Sequence, residues 1–145
     1  MRTSVISFCC VLGLAWLPAA AGLERIECPP TIHVTEPRLV MPLEGWTASV
    51  DKMTHQLSAV TFYDGPIEEN ASLVPDRDTS TQKTRSAFWQ FDAKSKRGYW
   101  LACRYSGTSL ALSRALPKGL TQCKVTYNNG EQIEGMPVIE NISCN

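Results

Sequence analysis

Residues Tyr99–Tyr127 read YWLACRYSGTSLALSRALPKGLTQCKVTY, and this stretch decides the fold class. Tyr99, Leu101, Cys103 and Tyr105 alternate with Trp100, Ala102 and Arg104, the period-two pattern of a strand with one buried face. Ser106-Gly107 stands between two alternating runs, and glycine supplies the positive φ that a two-residue hairpin turn needs. That turn predicts Cys103 opposite Leu110 and Leu101 opposite Leu112, all on one face. Pro117 and Gly119 interrupt the run before Cys123, Val125 and Tyr127 alternate again.

The flanking sequence continues the pattern. Upstream, Ile32 and Val34 alternate with His33 and Thr35, and Trp46, Ala48 and Val50 share a strand face. His55–Tyr63 (HQLSAVTFY) is a β-rich run closed by the turn Asp64-Gly65-Pro66. Residues 64–86 lack clear periodicity, and loops of this length in compact domains tend to be functional or disordered. Leu73-Val74 should pin part of this loop to the body, and one short helix fits near residues 67–73. Phe88, Trp89 and Phe91 open another strand, which the polar tip Lys94–Gly98 turns into the central stretch. Asn128-Asn129-Gly130 reads as a second hairpin turn, with a last short strand through Val138-Ile139 and Ile142. No helical period is sustained anywhere. The expectation is a single all-β domain, a disulfide-stapled sandwich or bent antiparallel sheet.

The first residues read as an export signal. Arg2 is a short positive region, Val5–Leu17 is apolar, and Ala19-Ala20-Ala21 matches a signal-peptidase site. Residues 1–21 are thus expected to be removed, with 22–145 as the domain, exported to an oxidising space. The apolar run is too short for a good membrane span, and no later segment approaches the roughly 20 residues one requires. Cleavage removes Cys9 and Cys10 and leaves Cys28, Cys103, Cys123 and Cys144, an even number that predicts two disulfides. Zinc is disfavoured, because no C-x-x-C pair exists and the spacings are 75, 20 and 21. Cys103–Cys123 is the favoured bridge as the shortest closure, with Cys28–Cys144 tying the ends. In a simple meander, however, Cys103 and Cys123 would sit two strands apart, roughly 9–10 Å, beyond disulfide reach. Either the strand after Pro117 crosses to a facing sheet, or the pairing differs.

Catalytic signals are sparse. His33 lies on the polar side of its strand and His55 precedes an apolar run, and both read as surface or edge histidines. Neither has a nucleophile or carboxylate at a recognisable spacing. Glu68-Glu69 and Asp76 with Asp78 are adjacent acids in a polar loop, where solvated carboxylates are the usual case. Trp46, Trp89 and Trp100 could stack on sugars but read first as core aromatics. No catalytic residue, cofactor or metal ligand is assigned.

Charge is the feature that points outward. The chain is neutral overall, yet residues 82–127 hold nine bases against the single acid Asp92, a net +8. Residues 22–81 carry ten acids and four bases, a net of −6, and residues 128–145 add −3. Lys94, Lys96, Arg97 and Arg104 are the expected partner-binding residues, facing an anionic protein or cell-envelope component. Internal neutralisation by the acidic loop is the alternative. Nucleic acid is not expected, since the aromatics form no known nucleic-acid motif.

A family resemblance accompanies these features. Cys28-Pro29, Gly45-Trp46, Phe62–Pro66 (FYDGP), Ala71–Asp76 (ASLVPD), Trp89, Trp100–Tyr105 (WLACRY), Gly107-Thr108, Leu116-Pro117 and Cys123 occur in that order. The pattern resembles a family of small exported proteobacterial proteins named after a Salmonella Typhi locus tag, and it spans essentially all of residues 22–145. The resemblance implies a Gram-negative periplasmic home and carries over no catalytic residue. The functional expectation is a periplasmic protein-binding module, with inhibition of a cell-envelope enzyme in the manner of immunity proteins as its concrete form. A cell-envelope glycan or peptide hydrolase using His33 or His55 is the alternative, and a structural or adhesion subunit is the third.

Overall fold

The computed structural model describes residues 24–35, 44–45 and 52–145. The expected signal segment and the strand face of Trp46, Ala48 and Val50 lie outside them. Among the described residues the strands are β1 (Glu24–Ile26), β2 (Thr31–Thr35), β3 (Lys52–Asp64), β4 (Ser72–Leu73), β5 (Arg77–Ser80), β6 (Thr84–Gln90), β7 (Tyr99–Tyr105), β8 (Ala111–Ala115), β9 (Gln122–Ile133) and β10 (Met136–Cys144). They form two antiparallel sheets, ordered β1-β10-β9-β6-β5 and β2-β3-β7-β8, with β4 added beside β3. The all-β expectation holds, and the short helix is a single 3-10 turn over Ile67–Glu69.

Alternation determines what is buried. Phe62 and Leu101 from one sheet, and Cys123, Val125 and Cys144 from the other, lose essentially all solvent contact. They share one core cluster with Trp89, Phe91 and Ile142. The Phe62 ring lies 4.8 Å from that of Trp89 across the two sheets. Fully burying such a side chain is worth about 1.5–3 kcal/mol, so each inward position of a strand contributes strongly. Trp89 is thus a core residue, its indole N–H donating to the Leu73 carbonyl at 3.3 Å and pinning β4.

Several connections differ from expectation, each for a local reason. The tip at Lys94–Gly98 is not a hairpin, because β6 and β7 belong to different sheets and the chain crosses the sandwich there. The β7–β8 register pairs Cys103 with Leu112 and Leu101 with Arg114. The connection spans Ser106–Leu110, and the pairing is shifted by two residues along β8 from the one a two-residue turn would give. Such a shift preserves the facing, since side-chain direction repeats every second residue. Asn128-Asn129-Gly130 makes a bulge inside β9, where Asn128 Oδ1 accepts from the Gly130 N–H at 2.9 Å and pairing slips between Pro137 and Val138. The chain reverses instead at Glu134-Gly135, whose φ values of 48° and 81° are those a two-residue hairpin turn requires. The last strand is accordingly nine residues long rather than short. The stretch 64–86 is largely ordered: β4 pairs with β3 and β5 with β6.

All four expected cysteines are bridged, but the pairing is Cys28–Cys103 and Cys123–Cys144. The strand after Pro117 does cross to the facing sheet, and this carries Cys123 beside Cys144 on the neighbouring strand β10. Their Cα atoms are 4.1 Å apart. Cys28 lies in the short passage from β1 to β2, which leads from one sheet to the other, and Cys103 faces it from β7. The Tyr105 hydroxyl donates to the Pro29 carbonyl at 3.0 Å, and Leu57 N–H donates to the Pro30 carbonyl at 2.8 Å. Three independent links therefore fix this passage.

Candidate protein-binding surface

The histidines separate into two environments. His33 is exposed and its Nδ1 lies 3.3 Å from the Thr54 hydroxyl. His55 is buried, against the expectation of a surface or edge position. Its Nδ1 lies 2.7 Å from the Ser106 carbonyl, which can only accept, so Nδ1 carries the proton and donates. His55 therefore ties β3 to the start of the β7–β8 connection, and among the described residues its buried Nε2 has no hydrogen-bond partner. Three of the four loop acids, Glu69, Asp76 and Asp78, have a local partner. Glu69 is ion-paired with Arg97, and Asp78 with Arg85, whose Nε donates to Oδ2 at 2.8 Å. Asp76 accepts from the Gln90 N–H at 2.7 Å. Hydrogen bonds from Arg85 hold the Asp78 carboxyl below its ordinary range. Among the described residues no three His, Cys, Asp or Glu side chains gather into a metal-binding group.

The four expected contact residues fall into two groups. Lys94, Lys96 and Arg97 belong to the connection that precedes β7, and Arg104 stands near the other end of that strand. At about 3.3 Å per residue, the length of the strand separates them by roughly 17 Å. Lys94 and Lys96 are exposed. Arg97 is engaged internally: its Nη2 donates to the Asp64 carbonyl at 2.9 Å, and it pairs with Glu69 and Asp64. A Cβ at residue 65 would fall 2.7 Å from Arg97 Nη2, so Gly65 (φ 96°) makes room for this clamp. Arg104 projects from the outer side of its sheet, where it donates to the Tyr63 hydroxyl at 2.7 Å.

Two surface features were not singled out by the sequence. On the outer side of the first sheet, the Arg77 guanidinium lies 4.0 Å from the Phe88 ring centroid and Lys124 Nζ lies 5.7 Å from it. Register places Arg77, Phe88, Lys124, Ser143 and Arg25 in one row across all five strands. Phe88 was legible as outward-facing, since Ala87 and Trp89 alternate with it. The second feature is β8, at the edge of the other sheet. Leu110 and Leu112, expected to face the core, are 43% and 39% exposed. Their alternation is that of a buried strand, and only the sheet order reveals that, among the described residues, no strand lies beyond them.

Comparison with known proteins places this scaffold. The sequence model of the type VI secretion system Tli immunity proteins matches residues 51–145, from the start of β3 through β10. The chain belongs to the type VI secretion system Tli immunity protein family. It is also similar to an uncharacterized 16.3 kDa protein in the trpG 5′ region of Azospirillum brasilense, with 28% identity over 116 residues that cover 75% of this chain and 74% of the relative. No solved structure matches. The family-matched segment contains the whole β7–β8 unit, the bulged β9 and three of the four bridged cysteines, whereas β1, β2 and Cys28 precede it. The two disulfides of this Tli family member fit an oxidising compartment.

Proposed function

We propose that the chain is exported to the periplasm, binds a type VI effector protein there and holds it inactive. The observation that carries this reading is the family match across residues 51–145, which covers most of the described sandwich. The two disulfides support an oxidising site of action, and the hydrophobic segment ending at Ala19-Ala20-Ala21 supports export. The effector is proposed to present an acidic surface. Residues 93–130 contain no Asp or Glu, while Lys94, Lys96 and Arg104 are exposed within them. Arg97 serves chiefly to hold its loop through Asp64 and Glu69.

A competition assay tests the reading. Recipient cells lacking the chain are mixed with sister cells carrying an active type VI system. Survival should fall, and should be restored by the full chain but not by a chain lacking residues 1–21. Equal survival with and without the chain would sink the immunity role. Rescue by the shortened chain would sink the periplasmic site alone. Attackers deleted for single effectors then identify the partner. Lys94, Lys96 and Arg104 changed together to Gln should slow its capture about tenfold at low salt, because long-range attraction steers encounter. The difference should fade as the Debye length falls from about 10 Å at 0.1 M salt to about 3 Å at 1 M.

A further inference from the structure

Among the described residues β8 ends its sheet, and its edge is built to accept one more strand. Leu116 N–H donates to the Tyr99 carbonyl at 2.8 Å, and hydrogen-bonded pairs alternate along an antiparallel ladder. Leu101 with Arg114 and Cys103 with Leu112 are therefore the bonded pairs that follow. Ala111, Ser113 and Ala115 must then direct their backbone N–H and C=O groups away from β7, toward the open side. Their own side chains are small and stand on the outer face, so none of the three obstructs an approaching chain.

Natural edges are usually blunted by shortness, charge, proline or a bulge. β1 has three residues. β5 has four, including Arg77 and Asp78, and follows Pro75. β2 is entered directly from Pro29-Pro30 and held there by the Cys28 bridge. β8 has five residues, one charge, and neither proline nor register shift within it. Leu112 on the strand and Leu110 beside it are exposed large apolar side chains, and β1, β2 and β5 carry none among their residues.

We infer that an extended segment of the effector adds to β8 as a further strand. This rests on the proposed immunity function and names the surface that performs it. The chemistry of the segment follows from the edge: an apolar side chain beside Leu112 and an acidic one two residues away beside Arg114. Arg114 lies on the edge strand and Lys118 follows three residues after it, in a sequence segment, residues 93–130, that contains no acid. Main-chain bonds would supply affinity and the alternate side chains specificity, as in other strand-addition complexes.

The test uses the purified effector identified in the competition assay. Ser113→Pro removes one outward-facing N–H and no bond to β7, a position where an edge strand tolerates proline. Its melting midpoint should match wild type, while effector affinity falls about 100-fold as the new ladder is blocked. Arg114→Glu should weaken binding about tenfold through like-charge repulsion. Amide exchange on the unmutated protein gives an independent readout: Ala111, Ser113 and Ala115 should exchange fast alone and become protected in the complex. If wild type binds the effector while those amides stay unprotected and Ser113→Pro binds equally, the edge assignment fails and the immunity function stands. If wild type binds no effector, that function fails and this inference with it. A dimer of the chain alone, abolished by Ser113→Pro, would overturn the inference by showing that a second copy occupies the edge.

Discussion

Cys123 and Cys144 bridge strands that are already hydrogen-bonded neighbours in the first sheet, whereas Cys28 and Cys103 anchor the crossing between sheets to the second. The edges of the two sheets differ in parallel. In the first, β1 is short and β5 is charged and ion-paired. In the second, β2 is tethered but β8 is open and apolar. The first sheet thus has the features of a self-contained support. The second depends on a long-range tie and, among the described residues, leaves one edge uncommitted. An inhibitor needs both parts: a frame that keeps its shape, and backbone and apolar groups that no partner among the described residues has consumed.

The bridges give the largest expected effects. In the chain-entropy description, the 75-residue separation of Cys28 and Cys103 corresponds to about 4.5 kcal/mol, and the 21-residue separation of Cys123 and Cys144 to about 3.3 kcal/mol. Replacing Cys28 and Cys103 together with Ala should therefore lower stability more than replacing Cys123 and Cys144 together. Urea melts of both double variants under oxidising conditions measure the difference. A reversed order would mean that the neighbouring-strand bridge, not the tie between sheets, dominates the frame.

Tyr105→Phe sharpens the same comparison without touching sulfur. It removes the hydroxyl that donates to the Pro29 carbonyl beside the Cys28 bridge, at a cost of about 1 kcal/mol. Burial raises the pKa of this phenol, so its contribution is complete below the unfolded value of about 10 and is lost as pH rises through the folded one. The variant should consequently lose the alkaline part of the wild-type stability profile. An identical profile for both proteins would show that the hydroxyl does not hold the crossing.

The parts of this molecule that were legible in its sequence are those fixed by near neighbours. Alternation identified the inward residues of β7 and β9, and the unusual spacing of the cysteines pointed to bridges rather than zinc. Connectivity was not legible, because Cys103–Cys123 and Cys123–Cys144 differ by one residue in separation, and only the crossing after Pro117 distinguishes them. Asn128-Asn129-Gly130 has the chemistry of a turn and makes a local one, but a bulge and a chain reversal use the same side-chain bond. His55 was misplaced because its partner, the Ser106 carbonyl, lies 51 residues away. For the candidate surface, the basic bias of the central segment was legible. Leu112 was assigned to the core because a strand does not record locally whether it has one neighbour or two.

The smallest expected effect belongs to the guarded edge. Asp78 and Arg85 pair across β5 and β6, with both side chains more than a third exposed. Solvent screens such a pair, and exposed ion pairs contribute about 0–1 kcal/mol. Asp78→Asn should therefore destabilise the protein by less than about 1 kcal/mol near neutral pH. The sign with pH follows from the carboxyl, whose pKa Arg85 lowers in the folded state. Its contribution is present above the unfolded value of about 3.9 and disappears as pH falls through the depressed folded value. The variant and wild type should then differ slightly at pH 7 and converge in strong acid. Equal stability at every pH would leave the guard on β5 as a matter of solubility alone, its charges discouraging another strand without holding the sheet together. A loss well above 1 kcal/mol would break the comparison from the other side, since the first sheet would then rely on its edge as the second relies on its tie.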